Sequence, residues 1–356
     1  KDWIDAIFVP ASRGLEPRLK EVGYVQKSHP GADRCFVNDL GIFPAIVLAD
    51  GSALRIAVKV DSVAEFFAVH QITPSTPIDG EPLSQYRTAR AFPGKDAELW
   101  VTERHGYRGF AAQPANPAKS IAAQRHLENL CRRGRDFATD QEGFAEVNRI
   151  VDAAIADLGR DWTCDLFFES ERRYWMRRNR AAQVQYARQQ KLGLGWANHD
   201  HHTYRCSREN FPALIALWEK LGFNCREAFY AGAEAGWGAQ VMEQPVTNIT
   251  TFNDVDMSPE ELLKDFAHLG FTEKRDHLDW HALVEQLEKQ GGVKTMAPFT
   301  TFPYLRQAFT EGERWAVRAE RVQALLDKGF ITAEQADKFR KEGAIGSHLE
   351  NLQRND

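Results

Sequence analysis

Apolar and polar positions follow one order twice along this chain, and that order predicts its architecture. In the first half, residues 42–60 (IFPAIVLADGSALRIAVKV) contain two β-branched runs around an Asp-Gly-Ser segment, which predicts a hairpin or the entry to a strand. Residues 61–71 then place apolar side chains on one helical face. Strands are predicted again at 86–92 and 97–110. The order is therefore strand, helix and further strands.

The same order returns after residues 119–190, whose apolar positions have helical spacing. A strand is predicted at LGWANHDHHTYR (194–205), followed by a helix over 209–221. Three strand patterns come next, namely NCREAFYAG, GAQVMEQ and VTNITTF, and a late strand is predicted at 314–322.

These elements predict an α+β protein of paired βαβββ modules separated by a large helical insertion. We expect the first module within residues 1–118, the insertion at 119–190, and the second module at 191–331 with a helical insert of its own. A last helix and tail would occupy 332–356.

Composition restricts the function. The chain has 356 residues and a net charge of -5, so no overall basic field favours nucleic acid or an acidic membrane surface, and a small-molecule partner is expected. No apolar run approaches the roughly 20 residues that span a bilayer. The five cysteines form no CxxC pair, which favours a reducing cytoplasm.

The segment NHDHHTYR (198–205) concentrates candidate chemistry. Because alternate residues of a strand share a face, His199, His201, Thr203 and Arg205 would point one way, and His202 the other. Imidazoles bind transition metals, and a guanidinium binds carboxylates in a bidentate fork. The pattern predicts a metal beside a cation for a small acid, although an exposed loop with inconsequential histidines is the alternative.

Two further ligand candidates are His105 in VTERHGYRGF and Glu320 in RWAVRAERV. Two histidines and one carboxylate from separate strands would form a facial triad, which leaves positions open for a 2-oxo acid and dioxygen on iron(II). A strand-end histidine and a surface ion pair are the alternatives for His105 and Glu320. His199 or His202 could replace His105.

The repeated order, with ligands on strand faces, resembles the vicinal-oxygen-chelate architecture of glyoxalases and extradiol dioxygenases. Within it, the chain is similar to the 2-oxoadipate dioxygenase/decarboxylase (hydroxyglutarate synthase) family. The similarity rests on the His-x-Thr-x-Arg strand at 201–205, on SALRIAVKVDSVAEFF at 52–67, and on PYLRQAF (303–309) followed by VRAER (317–321).

This resemblance implies an Fe(II) enzyme that decarboxylates a 2-oxo acid with dioxygen and hydroxylates the product. His201 and Glu320 would be ligands, Arg55 would hold the substrate carboxylate, and Arg205 would be a second cation nearby, beside Thr203. The family's first ligand histidine stands four residues before the arginine, where this chain has Gly51. We expect His105 to replace it. The alternatives are a glyoxalase-like isomerase or hydrolase that consumes no oxygen, and a binding module without turnover.

Overall fold

The computed structural model describes most of the chain up to residue 271. The described residues are 3–38, 41–74, 76–178, 180–197, 202–230, 237–271, 300–301, 323, 326–327, 329 and 331–342.

No helix among these residues combines the length and the apolar character that crossing a bilayer requires.

Seven strands and two helices form the N-terminal part. In chain order they are β1 (Ile4–Pro10), α1 (Glu16–Glu21), β2 (Tyr24–His29), β3 (Ala32–Asn38), β4 (Ala45–Ala49), β5 (Leu54–Lys59), α2 (Val63–His70), β6 (Tyr86–Phe92) and β7 (Ala97–Arg104). The strands make one sheet in the order β2-β3-β4-β1-β5-β7-β6.

This first sheet contains the same unit twice. In each unit the first strand pairs in parallel with the last strand, β1 with β4 and β5 with β7, and the remaining strands extend outward from the last one. The two first strands, β1 and β5, pair antiparallel at the centre of the sheet. Residues 4–104 therefore hold two repeats, where the sequence analysis placed a single module.

Helices cover one side of the first sheet. Leu15, which precedes α1, and Leu19 in α1 pack on Val9 and Leu48, and α2 packs on Val101. α2 begins where the Ser62 hydroxyl accepts a hydrogen bond from the Glu65 N–H at 3.3 Å, which satisfies one of the free amides of its first turn.

The other side of the first sheet, which we call the polar face, carries charged and hydroxyl side chains. Strand register places on it Arg55, Lys59, Thr88, Thr102 and Arg104. The alternation of polar and apolar residues in β5 and β7 is the cause of this separation, because successive side chains leave a strand on opposite sides.

Four helices connect the first sheet to the second. They are α3 (Pro117–Arg132), α4 (Asp140–Leu158), α5 (Arg160–Met176) and α6 (Arg180–Gln190). Asn116 and Thr139 cap α3 and α4 through their side-chain oxygens.

The second sheet repeats the same connections. Its elements are β8 (His202–Arg205), α7 (Phe211–Lys220), β9 (Asn224–Tyr230), β10 (Trp237–Gln244), β11 (Ile249–Asp256) and β12 (Thr300–Thr301), with α8 (Phe266–Leu269) after β11 and α9 (Ala333–Glu342) near the C-terminus. The order is β12-β8-β11-β10-β9, and β8 pairs in parallel with β11. β12 pairs antiparallel with β8, as β5 does with β1.

The helical insertion and the second sheet share one core. Phe168 lies at its centre, with ring centroids 5.6 Å from both Trp218 and Phe223 and 6.3 Å from Tyr204. The Trp218 indole N–H donates to Asn253 Oδ1 at 2.7 Å, so the polar atom of this buried ring is satisfied. The helical insertion is thus part of the hydrophobic core of the second sheet.

The structure confirms the α+β class, the repeated units and the large helical insertion. Of the two alternatives for residues 42–60, the hairpin is wrong, because β1 lies between β4 and β5, whereas both segments are strands. A capping box opens the last helix, since the Gln335 N–H donates to Thr332 Oγ1 at 3.2 Å and the Thr332 N–H donates to Gln335 Oε1 at 2.9 Å. The strand predicted at 314–322 lies outside the described residues.

Leu214→Ala tests the shared core. Leu214 on α7 is fully buried, whereas Leu263 is 89% exposed. We expect Leu214→Ala to lower the free energy of unfolding by about 2 to 5 kcal/mol, because it removes buried methyl groups and leaves a cavity. Leu263→Ala should change it by less than about 0.5 kcal/mol. Urea denaturation followed by tryptophan fluorescence measures both, and equal losses would contradict the core assignment.

Candidate active site

Arg55 lies on the polar face between two aromatic rings. Its guanidinium carbon is 4.8 Å from the centroid of Phe8 and 4.2 Å from that of Trp100. Trp100 is held by a hydrogen bond from its indole N–H to Glu98 at 2.8 Å, and Glu98 is ion-paired with Arg90 at 3.0 Å. No side chain in the described part of the chain forms a hydrogen bond or ion pair with Arg55. Its N–H groups can therefore bind an anion.

Glu103 and His105 lie on the opposite, helix-covered side of the first sheet. The Glu103 carboxylate accepts a hydrogen bond from the Val63 N–H at the start of α2, at 3.0 Å, and another from Arg87 at 3.1 Å. The His105 ring joins Glu103 to α5, with Nε2 3.3 Å from Glu103 and Nδ1 3.0 Å from Asp165. Strand geometry thus separates His105 from Arg55.

Both ring nitrogens of His105 are occupied by carboxylates. Burial disfavours a charged ring, but the charges and hydrogen bonds of Asp165 and Glu103 outweigh it and raise the pKa of His105 to about 10. A doubly protonated imidazole has no lone pair for a metal. In this structure the His105 ring joins β7 to α5, and a metal could bind either nitrogen only by replacing one of these carboxylates.

Strand β8 also divides its residues between two sides. The His202 ring faces the shared core, 4.7 Å from Phe168, while Thr203 and Arg205 point to the other side. Arg205 donates to Asp256 Oδ1 at 2.6 Å, and both side chains are 1% exposed. This buried pair commits Arg205 to a carboxylate of the protein. His199, His201 and Glu320 lie outside the described residues.

A cavity on the polar face, lined by Asp5 and Arg104, was missed by the sequence analysis. Arg104, whose Nε donates to Asp5 Oδ1 at 2.7 Å, lines it together with His29 and Cys35. Asp5 Oδ2 and His29 Nε2 are buried and have no hydrogen-bond partner among the described residues. Burial lowers the pKa of His29 and raises the pKa of Cys35 to about 11, so both side chains are neutral near pH 7. The cavity can accept hydrogen bonds from a polar ligand.

The sequence feature that could have indicated this cavity is Asp5, the single acid among the apolar residues of IDAIFVP. Its partner Arg104 is 99 residues away, and local patterns do not reveal such a pairing. The other side of the cavity is formed by the turn between β10 and β11, where the Pro245 carbonyl accepts a hydrogen bond from Arg108 Nε at 3.2 Å. Lys59 also donates to the Thr247 carbonyl of this turn, at 2.9 Å.

Neither a protein family nor a curated protein matches the sequence. Among solved structures, the chain is similar to a glyoxalase I mutant from Zea mays, with 8% sequence identity and a TM-score of 0.22. The match covers 71% of this chain and 69% of the other. An overlap this low assigns neither a substrate nor a metal to this chain.

His105→Gln tests the bridging role of the imidazolium. A pKa of about 10 in the folded state, against an ordinary value of 6.5, means that the folded protein binds this proton more tightly. The stabilisation is complete below pH 6.5 and is lost as the pH rises through about 10. The stability advantage of the wild type over His105→Gln should therefore shrink between these values, as measured by urea unfolding at several pH values.

Asp165→Asn provides the control. In that background the ring has lost one of its two carboxylate partners, so the pH-dependent part of the His105→Gln effect should be smaller. A difference between wild type and His105→Gln that stays constant from pH 6.5 to 10 would contradict the bridge.

Proposed function

We propose that this chain is a metal-dependent enzyme of the vicinal-oxygen-chelate type that acts on a small organic acid. The observation that carries the proposal is Arg55, a cation held between Phe8 and Trp100 on the polar face with no carboxylate partner among the described residues. A guanidinium fixed between two rings is prepared to bind a carboxylate through its open edge.

The strand connectivity of the repeated units supports the architecture that we propose. Three units in the described chain join their first and last strands in parallel, and the first strands of the two units in the first sheet meet antiparallel. Such units turn one sheet face to helices and leave the other for a ligand, which is the arrangement that the sequence resemblance implies.

The specific reaction we propose is the Fe(II)-dependent oxidative decarboxylation and hydroxylation of a 2-oxo acid. The metal would be held by His201, Glu320 and a third histidine. Both ring nitrogens of His105 already contact carboxylates, and the ring of His202 faces Phe168. His199 is the candidate that remains from the same segment.

Substrate specificity would depend on the arginine. Arg55 would bind the far carboxylate of a dicarboxylic 2-oxo acid, and Thr203, whose side chain shares a sheet face with Arg205, would contact the substrate from β8. Arg205 itself would act by holding Asp256, because that buried ion pair is costly to break.

Metal stoichiometry tests the ligand assignment. After anaerobic reconstitution with iron(II), elemental analysis should find that His201→Ala binds one iron fewer per chain than the wild type. His105→Ala should keep the full amount and lose stability instead. Equal iron in wild type and His201→Ala, or loss of iron in His105→Ala alone, would contradict the assignment.

Oxygen consumption separates the three functions considered for this fold. The dioxygenase should consume oxygen with one of a series of 2-oxo acids, and His201→Ala should not. Specific iron binding without oxygen uptake would favour a glyoxalase-like isomerase or hydrolase. Absence of both would favour a binding module without turnover.

Arg55→Ala tests the anion site. We expect the Michaelis constant for a dicarboxylic substrate to rise about tenfold to a hundredfold, the size of a lost charge-assisted hydrogen bond. The constant for a monocarboxylic substrate of equal length should change far less. Arg149→Ala is the matched control, because Arg149 is an exposed arginine on α4 that is already paired with Glu146. Equal effects of Arg55→Ala on both substrates would exclude the role.

A further inference from the structure

A second group of metal-ligating side chains lies at the surface, on elements that belong to or follow the strands of the second sheet. Glu219 stands at the end of α7, Cys225 near the start of β9, and His268 in α8. One ligand atom from each, a carboxylate oxygen, the thiol sulfur and a ring nitrogen, lies within 4.8 Å of the other two. None of these residues belongs to the site proposed above.

Backbone hydrogen bonds hold the turn between α7 and β9. The Gly222 N–H donates to the Glu219 carbonyl at 2.9 Å, and the Phe223 N–H donates to the Trp218 carbonyl at 3.0 Å. Phe223 is 2% exposed and packs in the shared core. Glu219 and Cys225 therefore flank a turn that is fixed by hydrogen bonds and by core packing.

His268 is oriented by a carboxylate. Asp265 accepts from His268 Nδ1, at 2.8 and 3.0 Å for its two oxygens, and also accepts the His268 backbone N–H at 3.3 Å. The other ring nitrogen, Nε2, points to Glu219 at 2.9 Å. A carboxylate on the far nitrogen of a histidine is the arrangement that orients metal-binding imidazoles in proteins.

We propose that Glu219, Cys225 and His268 form a binding site for a zinc-class divalent metal ion, with Asp265 orienting the histidine. The donor set of sulfur, nitrogen and carboxylate oxygen suits Zn²⁺, while Mg²⁺ and Ca²⁺ prefer oxygen ligands alone. Three protein ligands leave the fourth tetrahedral position to water.

Binding of the metal ion releases two protons from its ligands. On binding, Cys225 loses its thiol proton and Nε2 of His268 loses the proton directed to Glu219, both to solvent, so that sulfur and nitrogen each present a lone pair to the metal. The ion would connect α8 to α7 and β9, and the two carboxylates offset its charge.

Cobalt(II) titration of the intact chain tests this site. A thiolate ligand gives cobalt(II) a near-ultraviolet charge-transfer absorption, which oxygen and nitrogen ligands do not. We expect this absorption to saturate at one cobalt per chain, to disappear in Cys225→Ser, and to persist in Cys131→Ser, the matched cysteine control. Added zinc should displace the cobalt and abolish the absorption.

The orienting role of Asp265 has its own variant. Asp265→Asn keeps an oxygen that can cap α8 but removes the charge beside Nδ1, so cobalt affinity should fall by about tenfold to a hundredfold. His268→Ala should weaken binding further.

The outcome is independent of the enzyme proposal. His201→Ala should leave the absorption unchanged, because the proposed iron ligands include no cysteine. Absence of the absorption in the wild type, or its persistence in Cys225→Ser, would overturn the site whether or not oxygen uptake is found.

Discussion

Each strand of this protein must turn alternate side chains to opposite sides of its sheet, and the helices of the described residues cover one of those sides. This constraint separates the candidate functional residues more strictly than sequence distance does. In the first sheet, Arg55 is on the polar face and His105 on the helix side. In the second, Thr203 and Arg205 leave β8 on one side and His202 on the other. Residues that look clustered in sequence therefore serve two purposes, ligand binding on one side and packing on the other.

Polar contacts connect the first sheet to the later part of the chain. The Asp165 carboxylate on α5 binds His105, and the turn after β10 accepts hydrogen bonds from Lys59 and Arg108. These contacts lie on both sides of the first sheet, so they restrain it more than one patch of apolar packing would. The buried Glu103 carboxylate, shared by the start of α2 and two cations, is satisfied only when these elements are all in place.

Local pattern was sufficient where an element has a strong apolar period. α2, β6 and α7 fall within two residues of their predicted bounds, because one face of each is apolar and buried. The elements before residue 42 were not predicted, and among them β2 is mostly exposed and lacks an apolar face. The position of β1 between β4 and β5 depends on pairing across some forty residues, which a turn signal cannot encode. His105 was chosen by residue type, while its role depends on Asp165, sixty residues later.

The state of each arginine on the polar sides of the sheets decides where an anionic ligand can bind. Arg205 and Arg104 are buried with aspartates at 2.6 and 2.7 Å, and removing such a partner would leave an uncompensated charge. A ligand carboxylate would have to replace that partner before it gained anything. Arg55 is stabilised instead through the faces of Phe8 and Trp100, which leaves its N–H groups without a carboxylate among the described residues. A carboxylate can therefore bind to Arg55 without breaking an existing ion pair, which makes the polar face of the first sheet the place where substrate binding needs the least rearrangement.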